Sequence, residues 1–324
     1  STPFAALLVD VSDEDNRSKL VGIVWSMLMV GIIVGAIISS ALLQQLAADA
    51  PLAELQGAIN TLFIVVPLLV LGLTAVATWG VEARFSRFSQ RSVVSDREDQ
   101  ITLGRALKVL TASRQTGLFF TFMLLMTVSL FMQEPVLEPY GGEVFGMSYA
   151  DTTQLNAFWG LGTLVGLSLT GFLIVPRLGK RNTTRLGCLL VAACFGLIIL
   201  AGFTQMESML KGALLCFGLA SGVVTNGAIS LMLDLTAAET AGTFIGAWGL
   251  SQAMARAIAT VLGGGFLTLG EQLFATPILA YSLVFGLQAM GMLFAVVLLN
   301  RVDVKEFRTR SRQAIATVLE MEMD

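Results

Sequence analysis

Eight times along this chain a run of about twenty apolar residues recurs with almost no charge inside it, near 20–43, 58–80, 116–137, 153–175, 186–204, 210–233, 243–268 and 276–299. A helix needs roughly 20 such residues to cross the hydrocarbon core of a bilayer. Lipid offers no partner to backbone N–H and C=O groups, so a lone apolar run that spans it must be a helix. Residues 1–9 look like the tail of a ninth run. A chain that is 55% hydrophobic and 13% charged, with mean hydropathy +0.78, is too apolar for a water-soluble core. The predicted class is an all-α integral membrane bundle in contact with the lipid bilayer.

The basic residues predict its orientation, because Lys- and Arg-rich loops stay on the cytoplasmic side. Counted over alternate loops, one side holds Arg17 and Lys19, seven residues from Arg84 to Arg114, four from Arg177 to Arg185 and five from Arg301 to Arg312, which is 18 of 20. Lys211 falls on the other side and Arg256 inside a span. The 82–115 loop and the carboxyl terminus are therefore expected in the cytoplasm. The net charge of -3 carries no signal for nucleic acid.

Several chemistries drop out. The chain has no histidine, and Cys188, Cys194 and Cys216 lie in apolar runs without metal-type or paired spacing, so they are read as small packing residues. Gly263, Gly264 and Gly265 follow no strand and precede no Lys-Ser pair, which makes them packing glycines and not a phosphate loop. No catalytic triad or ATP motif is present, and an enzyme is not expected.

The most specific stretch is 132–148, MQEPVLEPYGGEVFGMS, at the outer end of the third run. Carboxylates at a membrane span cost several kcal/mol unless they face a cavity or a partner, which makes Glu134 and Glu138 candidate site residues. Pro135 and Pro139 predict a helix break near Glu134. Gly141 and Gly142 are expected to turn the chain. Together with Tyr140, Glu143, Val144, Phe145, Gly146 and Met147, this block resembles the signature of the PucC/LhaA family of light-harvesting assembly proteins, a branch of the major facilitator superfamily. A second likeness runs from Pro3 to Gly35, with Asp10, Asp13, Glu14, Asp15, Arg17, Ser18 and Gly22. The first forty residues resemble the cyanobacterial members, which implies chlorophyll and thylakoids.

The chain also repeats itself. Leu7 onward aligns with Leu231 onward at an offset of 224 residues, pairing Asp10 with Asp234 and Gly22 with Gly246. Parallel repeats build the two halves of facilitator transporters. Shifting the 116–137 run back by that offset places its counterpart before residue 1. The chain is accordingly read as a carboxyl-terminal fragment running from the end of helix 4 to helix 12 of twelve. Residues 1–81 would end the first six-helix bundle, 82–115 link the halves, 116–300 form the second bundle and 301–324 a cytoplasmic tail. Within the linker, Ile101 to Ala112 has the pattern of an interfacial amphipathic helix, and 302–321 repeats it.

Facilitator architecture implies that the first and fourth helices of each half line a central cavity. That places Ser129, Gln133 and Glu134 with Thr225 and Asn226 in view of it, while Ser221 and Gln252 are further polar positions in spans. The alternative for these groups is hydrogen bonding between helices. Arg256, about thirteen residues into its span, needs a partner, for which Glu134 and Glu138 are candidates; it is either half of a structural ion pair or a ligand-binding group. Gly171, Arg177, Gly179, Lys180 and Arg181 resemble the facilitator cytoplasmic loop motif, with Pro176 at its usual acidic position. Their other reading is positive-inside anchoring at a tight turn. Asp10 and Asp234 end their spans at the cytoplasmic face and are read as pairing residues at the bundle ends, with Arg17 and Lys19 as candidate partners of Asp10.

The resemblance implies a role in binding or delivering chlorophyll or bacteriochlorophyll, as cargo, or in handling nascent antenna proteins. Light-harvesting or photosystem subunits would be the partners, in a thylakoid, cytoplasmic or intracytoplasmic membrane of a photosynthetic bacterium. With no histidine, a bound pigment would need Glu, Asn, Gln, a carbonyl or water at its magnesium. The alternative function is a proton-coupled secondary transporter of a small amphipathic solute, using Glu134 or Glu138.

Overall fold

The computed structural model describes several positions between 19 and 35, and residues 52–79, 114–235 and 241–302. The chain divides into two compact units, residues 27–97 and residues 1–26 with 98–324. In the smaller unit, α1 (Leu52–Thr78) carries Pro67 in its interior, and its apolar stretch Phe63–Val76 presents large side chains such as Phe63 and Leu71 outward. The expected linker helix over 101–112, the tail beyond 302, Asp10 and Arg17 lie outside the described residues.

The larger unit holds six helical traverses long and apolar enough to span a membrane. The first is built from two helices, α2 (Arg114–Phe131) and α3 (Glu134–Phe145). It is followed by α4 (Tyr149–Leu169), which runs through a π turn at Thr170–Ile174 into the short α5 (Val175–Leu178). Then come α6 (Lys180–Thr204), α7 (Glu207–Leu235), α8 (Ala241–Leu273) and α9 (Pro277–Arg301). These account for the last six of the eight apolar runs, and the architecture is an all-helical membrane bundle. Basic residues Arg114, Lys180, Arg181 and Arg301 gather at one end; Glu138, Glu143, Asp151, Glu207 and Glu271 gather at the other.

Helix α7 is the centre of the bundle, packed between α4 and α6, with 78% of its span enclosed. Small residues bring it there. Gly162 and Gly166 of α4 face Gly218 and Gly222 of α7, so a Cβ on Gly218 would fall 2.8 Å from the Thr163 nitrogen and one on Gly162 2.9 Å from the Leu219 nitrogen. Two GxxxG segments therefore meet backbone to backbone, the device by which helices associate where lipid supplies no hydrophobic drive. Around them Phe119, Phe122, Phe195, Phe217, Phe285, Tyr140 and Tyr281 form an almost fully enclosed aromatic core. Helix α8, by contrast, has only 22% of its span covered.

The proline-rich block folds differently from the sequence expectation. The break does occur, at Met132 and Gln133, but Gly141 and Gly142 do not turn the chain, because both lie inside α3. Pro135 sits in the first turn of α3, where its missing N–H removes nothing that helix would use. Pro139 removes the bond to the carbonyl of Pro135 and is accommodated in a helix of only twelve residues. Gly146 ends α3, with φ of 68° and its N–H on the Gly142 carbonyl. Ser148 then caps α4, accepting from the Asp151 amide and donating to the Asp151 carboxylate at 2.6 Å.

Candidate functional site

A polar and charged row runs along the seam between α2 and α8, which lie side by side in the same direction. Gln252 donates its Nε2 to the Thr127 hydroxyl at 2.9 Å. One turn on, the Arg256 guanidinium covers the ring of Phe131, 4.0 Å from its centroid. Beyond that, Glu134 opens α3 within electrostatic reach of Arg256. Gly263 completes the seam by letting α8 approach the Met132 carbonyl and the Pro135 ring. Thus the first of the three consecutive glycines has the packing role expected, while Gly264 and Gly265 face open space.

Arg256 and Glu134 are both exposed on the side of the bundle, at the depth where the α2 helix ends. The guanidinium is stacked and electrostatically balanced without being locked into a close ion pair; among the described residues the ion pair within 4.0 Å is Lys211 with Glu207, at 3.3 Å. An Arg held over an aromatic ring by its central carbon still has N–H donors to offer an oxygen acceptor. The seam can therefore take a flat or amphipathic group that carries carbonyl or carboxyl oxygens.

The acidic end of α3 forms a second centre. Glu138 accepts from Asn156 Nδ2 of α4 at 2.7 Å. Tyr140 is fully enclosed and donates to the Ile198 carbonyl of α6 at 2.8 Å, with Gly202 directly against its hydroxyl. Its ring contacts Phe145, Tyr281 and Phe285 at 5.0–5.3 Å between centroids. Glu143 and Glu271 lie in electrostatic reach of the Tyr281 hydroxyl, which has no partner of full hydrogen-bond geometry among the described residues. Tyr140 is thus a structural pin, and Glu138 and Glu143 are the exposed groups it positions.

Other expected site residues lie inside the bundle. Ser129 and Gln133 are enclosed, with Gly291 of α9 pressed against the Ser129 side chain. Asn226 is fully enclosed; it donates to the Leu167 carbonyl at 3.1 Å and accepts from the Ser230 hydroxyl at 3.1 Å. Ser129, Gln133 and Asn226 are thus enclosed within the larger unit. Thr225 is half-buried, and Ser221 bonds back to the Phe217 carbonyl. Gly22 approaches this same point, near Asn226 and Leu167, and the Ser26 and Ser168 hydroxyls meet at 2.9 Å.

The loop motif also acts locally. Gly171 is buried within the π turn, Arg177 donates to the Leu173 carbonyl, and Gly179 takes φ of 75° to end α5. Lys180 opens α6. Arg181 reaches the far end of the bundle sequence, donating to the Leu299 and Asn300 carbonyls at 3.1 and 3.0 Å, where a cation complements the carboxyl end of α9. Asp234 lies in the last turn of α7. Cys188 and Cys194 are buried and Cys216 exposed, all three as free thiols.

Phe131, Thr127, Asn156, Tyr281, Gln288 and the two GxxxG segments were not singled out from sequence. The GxxxG spacing and the lone amide of Gln288 in an otherwise apolar run were readable signals; Phe131 and Thr127 gain meaning only from α8 lying beside α2.

The profile described as PUCC protein matches residues 1–307. Over 313 residues the chain is 30% identical to the protein named bacteriochlorophyll synthase 44.5 kDa chain of Rhodobacter capsulatus, covering 93% of this chain and 68% of that one. It is 26% identical to the protein named PucC of Rhodobacter capsulatus, covering 93% and 65%, and 29% identical to protein PucC of Cereibacter sphaeroides, covering 90% and 62%. The chain thus spans about two thirds of the length of these curated relatives. Among solved structures, the human organic anion transporter MFSD10 superposes with a TM-score of 0.59 at 18% identity, covering 92% of this chain and 67% of that one, a likeness of fold.

Proposed function

This chain belongs to the PUCC protein family of multi-pass membrane proteins, and from that premise we propose that it handles bacteriochlorophyll or chlorophyll, or the nascent antenna polypeptides that receive it, during light-harvesting assembly in a photosynthetic membrane. The carrying observation is the seam at Phe131, Glu134, Gln252 and Arg256. A charged side chain at membrane depth costs about 2.5–3.5 kcal/mol by insertion measurements. Two such charges, Glu134 of α3 and Arg256 of α8, the least covered of the six traverses, stand exposed beside the Phe131 ring. The arrangement supports a site for a flat ring system with oxygen substituents, with Phe131 against its face, Arg256 toward a carbonyl or carboxyl oxygen and Glu134 as an oxygen donor.

The reading is of a carrier and not a catalyst. One relative bears a synthase name, yet the groups on the seam are suited to holding a ligand. The basic end of the bundle supports a cytoplasmic carboxyl-terminal side.

The test is to purify the full-length protein in mild detergent from its native membrane, record its absorption from the blue to the near infrared, and identify companion proteins. Stoichiometric pigment that falls in Arg256→Leu is the expected result. A colourless preparation without antenna subunits would overturn the proposal. The exposed Glu134 carboxylate favours one second reading, proton-coupled transport of an amphipathic solute, for which uptake into vesicles should depend on pH in wild type and not in Glu134→Gln.

A further inference from the structure

Three polar atoms are stranded at one level inside the larger unit. Gln288 of α9 is completely enclosed, and neither its Oε1 nor its Nε2 has a partner among the described residues. Gln133, at the break between α2 and α3, is 4% exposed, and its Oε1 is likewise unpartnered. Two contacts fix how α9 runs antiparallel to the α2–α3 traverse. Gly291 backs onto Ser129, and the ring of Tyr281 lies 5.2 Å from that of Tyr140. Gln133 precedes Tyr140 by the same seven residues by which Gln288 follows Tyr281, so the two amides come level.

The backbone is also interrupted there. Pro135 has no N–H to offer the Phe131 carbonyl, and the amides of Val136 and Leu137 both go to the Gln133 carbonyl, at 3.0 and 2.9 Å. The Met132 carbonyl therefore loses its regular donor, with Gly263 seated against it. Each buried polar atom left unpaired costs about 1–3 kcal/mol, and a lipid-facing bundle has no bulk solvent to relieve it. What would relieve all three has a definite chemistry: two hydrogens to give to two amide oxygens, and a lone pair to accept from one N–H. Water meets this requirement, since an enclosed water needs about 2–4 polar partners.

We propose that Gln133 and Gln288 hold an internal water molecule at the break of the first traverse, donating to both Oε1 atoms and accepting from Gln288 Nε2. The site is independent of the cargo proposed above, so the failure of either leaves the other standing.

Hydroxyl-radical labelling by X-ray radiolysis tests it on the full chain in detergent, because radiolysis of a bound water oxidises the side chain beside it. Met132 adjoins the site and Met126 is its reference, both being 4% exposed. Met132 should be oxidised several-fold faster than Met126, and the excess should vanish in Gln133→Leu/Gln288→Leu. Equal rates in wild type, as a direct amide-to-amide bond would give, overturn the proposal without any variant. An excess that survives the double substitution overturns it too. Should that variant not fold, Gln288→Met alone must reduce the excess, and an infrared water band sensitive to H2-18-O in wild type must weaken in parallel.

Discussion

Arg256 holds its guanidinium 4.0 Å from the centre of the Phe131 ring, at the last residue before the first traverse breaks. Beside it Glu134 begins the next helix, so stacking and charge balance are shared among three residues on two chain segments.

That sharing should appear as coupling. Arg256→Leu removes a cation–π contact of about 0.5–2 kcal/mol and deprives Glu134 of its counter-charge. Glu134→Gln does the converse. The double variant should cost less than the sum of the singles by about 0.5–3 kcal/mol, read from thermal unfolding in detergent; strict additivity would show that the two charges do not sense one another.

Tyr140 and Gly202 form a second coupled pair. Tyr140→Phe loses the bond to the Ile198 carbonyl, about 1 kcal/mol. Gly202→Ala drives a methyl into the Tyr140 hydroxyl, an overpacking cost of about 1–3 kcal/mol. In the Tyr140→Phe background the same alanine should cost less, because the oxygen it strikes is gone. An undiminished cost would place the clash elsewhere.

The α4–α7 crossing predicts a contrast within one helix. Gly218→Val would put its Cβ against the α4 backbone, whereas Gly212 of the same helix has open space around it. Gly218→Val should fail to yield monodisperse protein on size-exclusion chromatography, while Gly212→Val elutes as wild type. Similar behaviour of the two would mean that propensity, and not close approach, explains these glycines.

Glu138→Gln separates structure from function. The substitution keeps an oxygen to accept from Asn156 Nδ2, so thermal stability should change by less than about 1 kcal/mol. If the acidic lip contacts cargo, the yield of light-harvesting complex in cells should nevertheless fall. Normal yield would confine Glu138 to a structural role.

The sequence was most informative where a single physical constraint dominates. Apolar runs set the six traverses because lipid leaves the backbone no other option, and Pro135 marked the break to within two residues. Gly141 and Gly142 misled, since glycine permits a turn without requiring one; Gly146 with φ of 68° is where the requirement lies. The site was legible in Glu134 and Arg256, whose charge stands out in any apolar run. Ser129, Gln133 and Asn226 look the same in sequence whether they line a cavity or tie helices together. That all three are buried is visible only once the helices are packed.

Arg181 has a consequence for biogenesis. Its acceptors, the Leu299 and Asn300 carbonyls, are 118 and 119 residues downstream, and a ribosome adding roughly 5–20 residues per second needs about 6–24 s to reach them. Until the last helix leaves the insertion machinery, this guanidinium has no carbonyls of α9 to close upon, and the basic end of the nascent bundle stays unlatched. A ribosome that stalls inside α9 would release a chain recognisable to membrane quality control by that one unfastened corner.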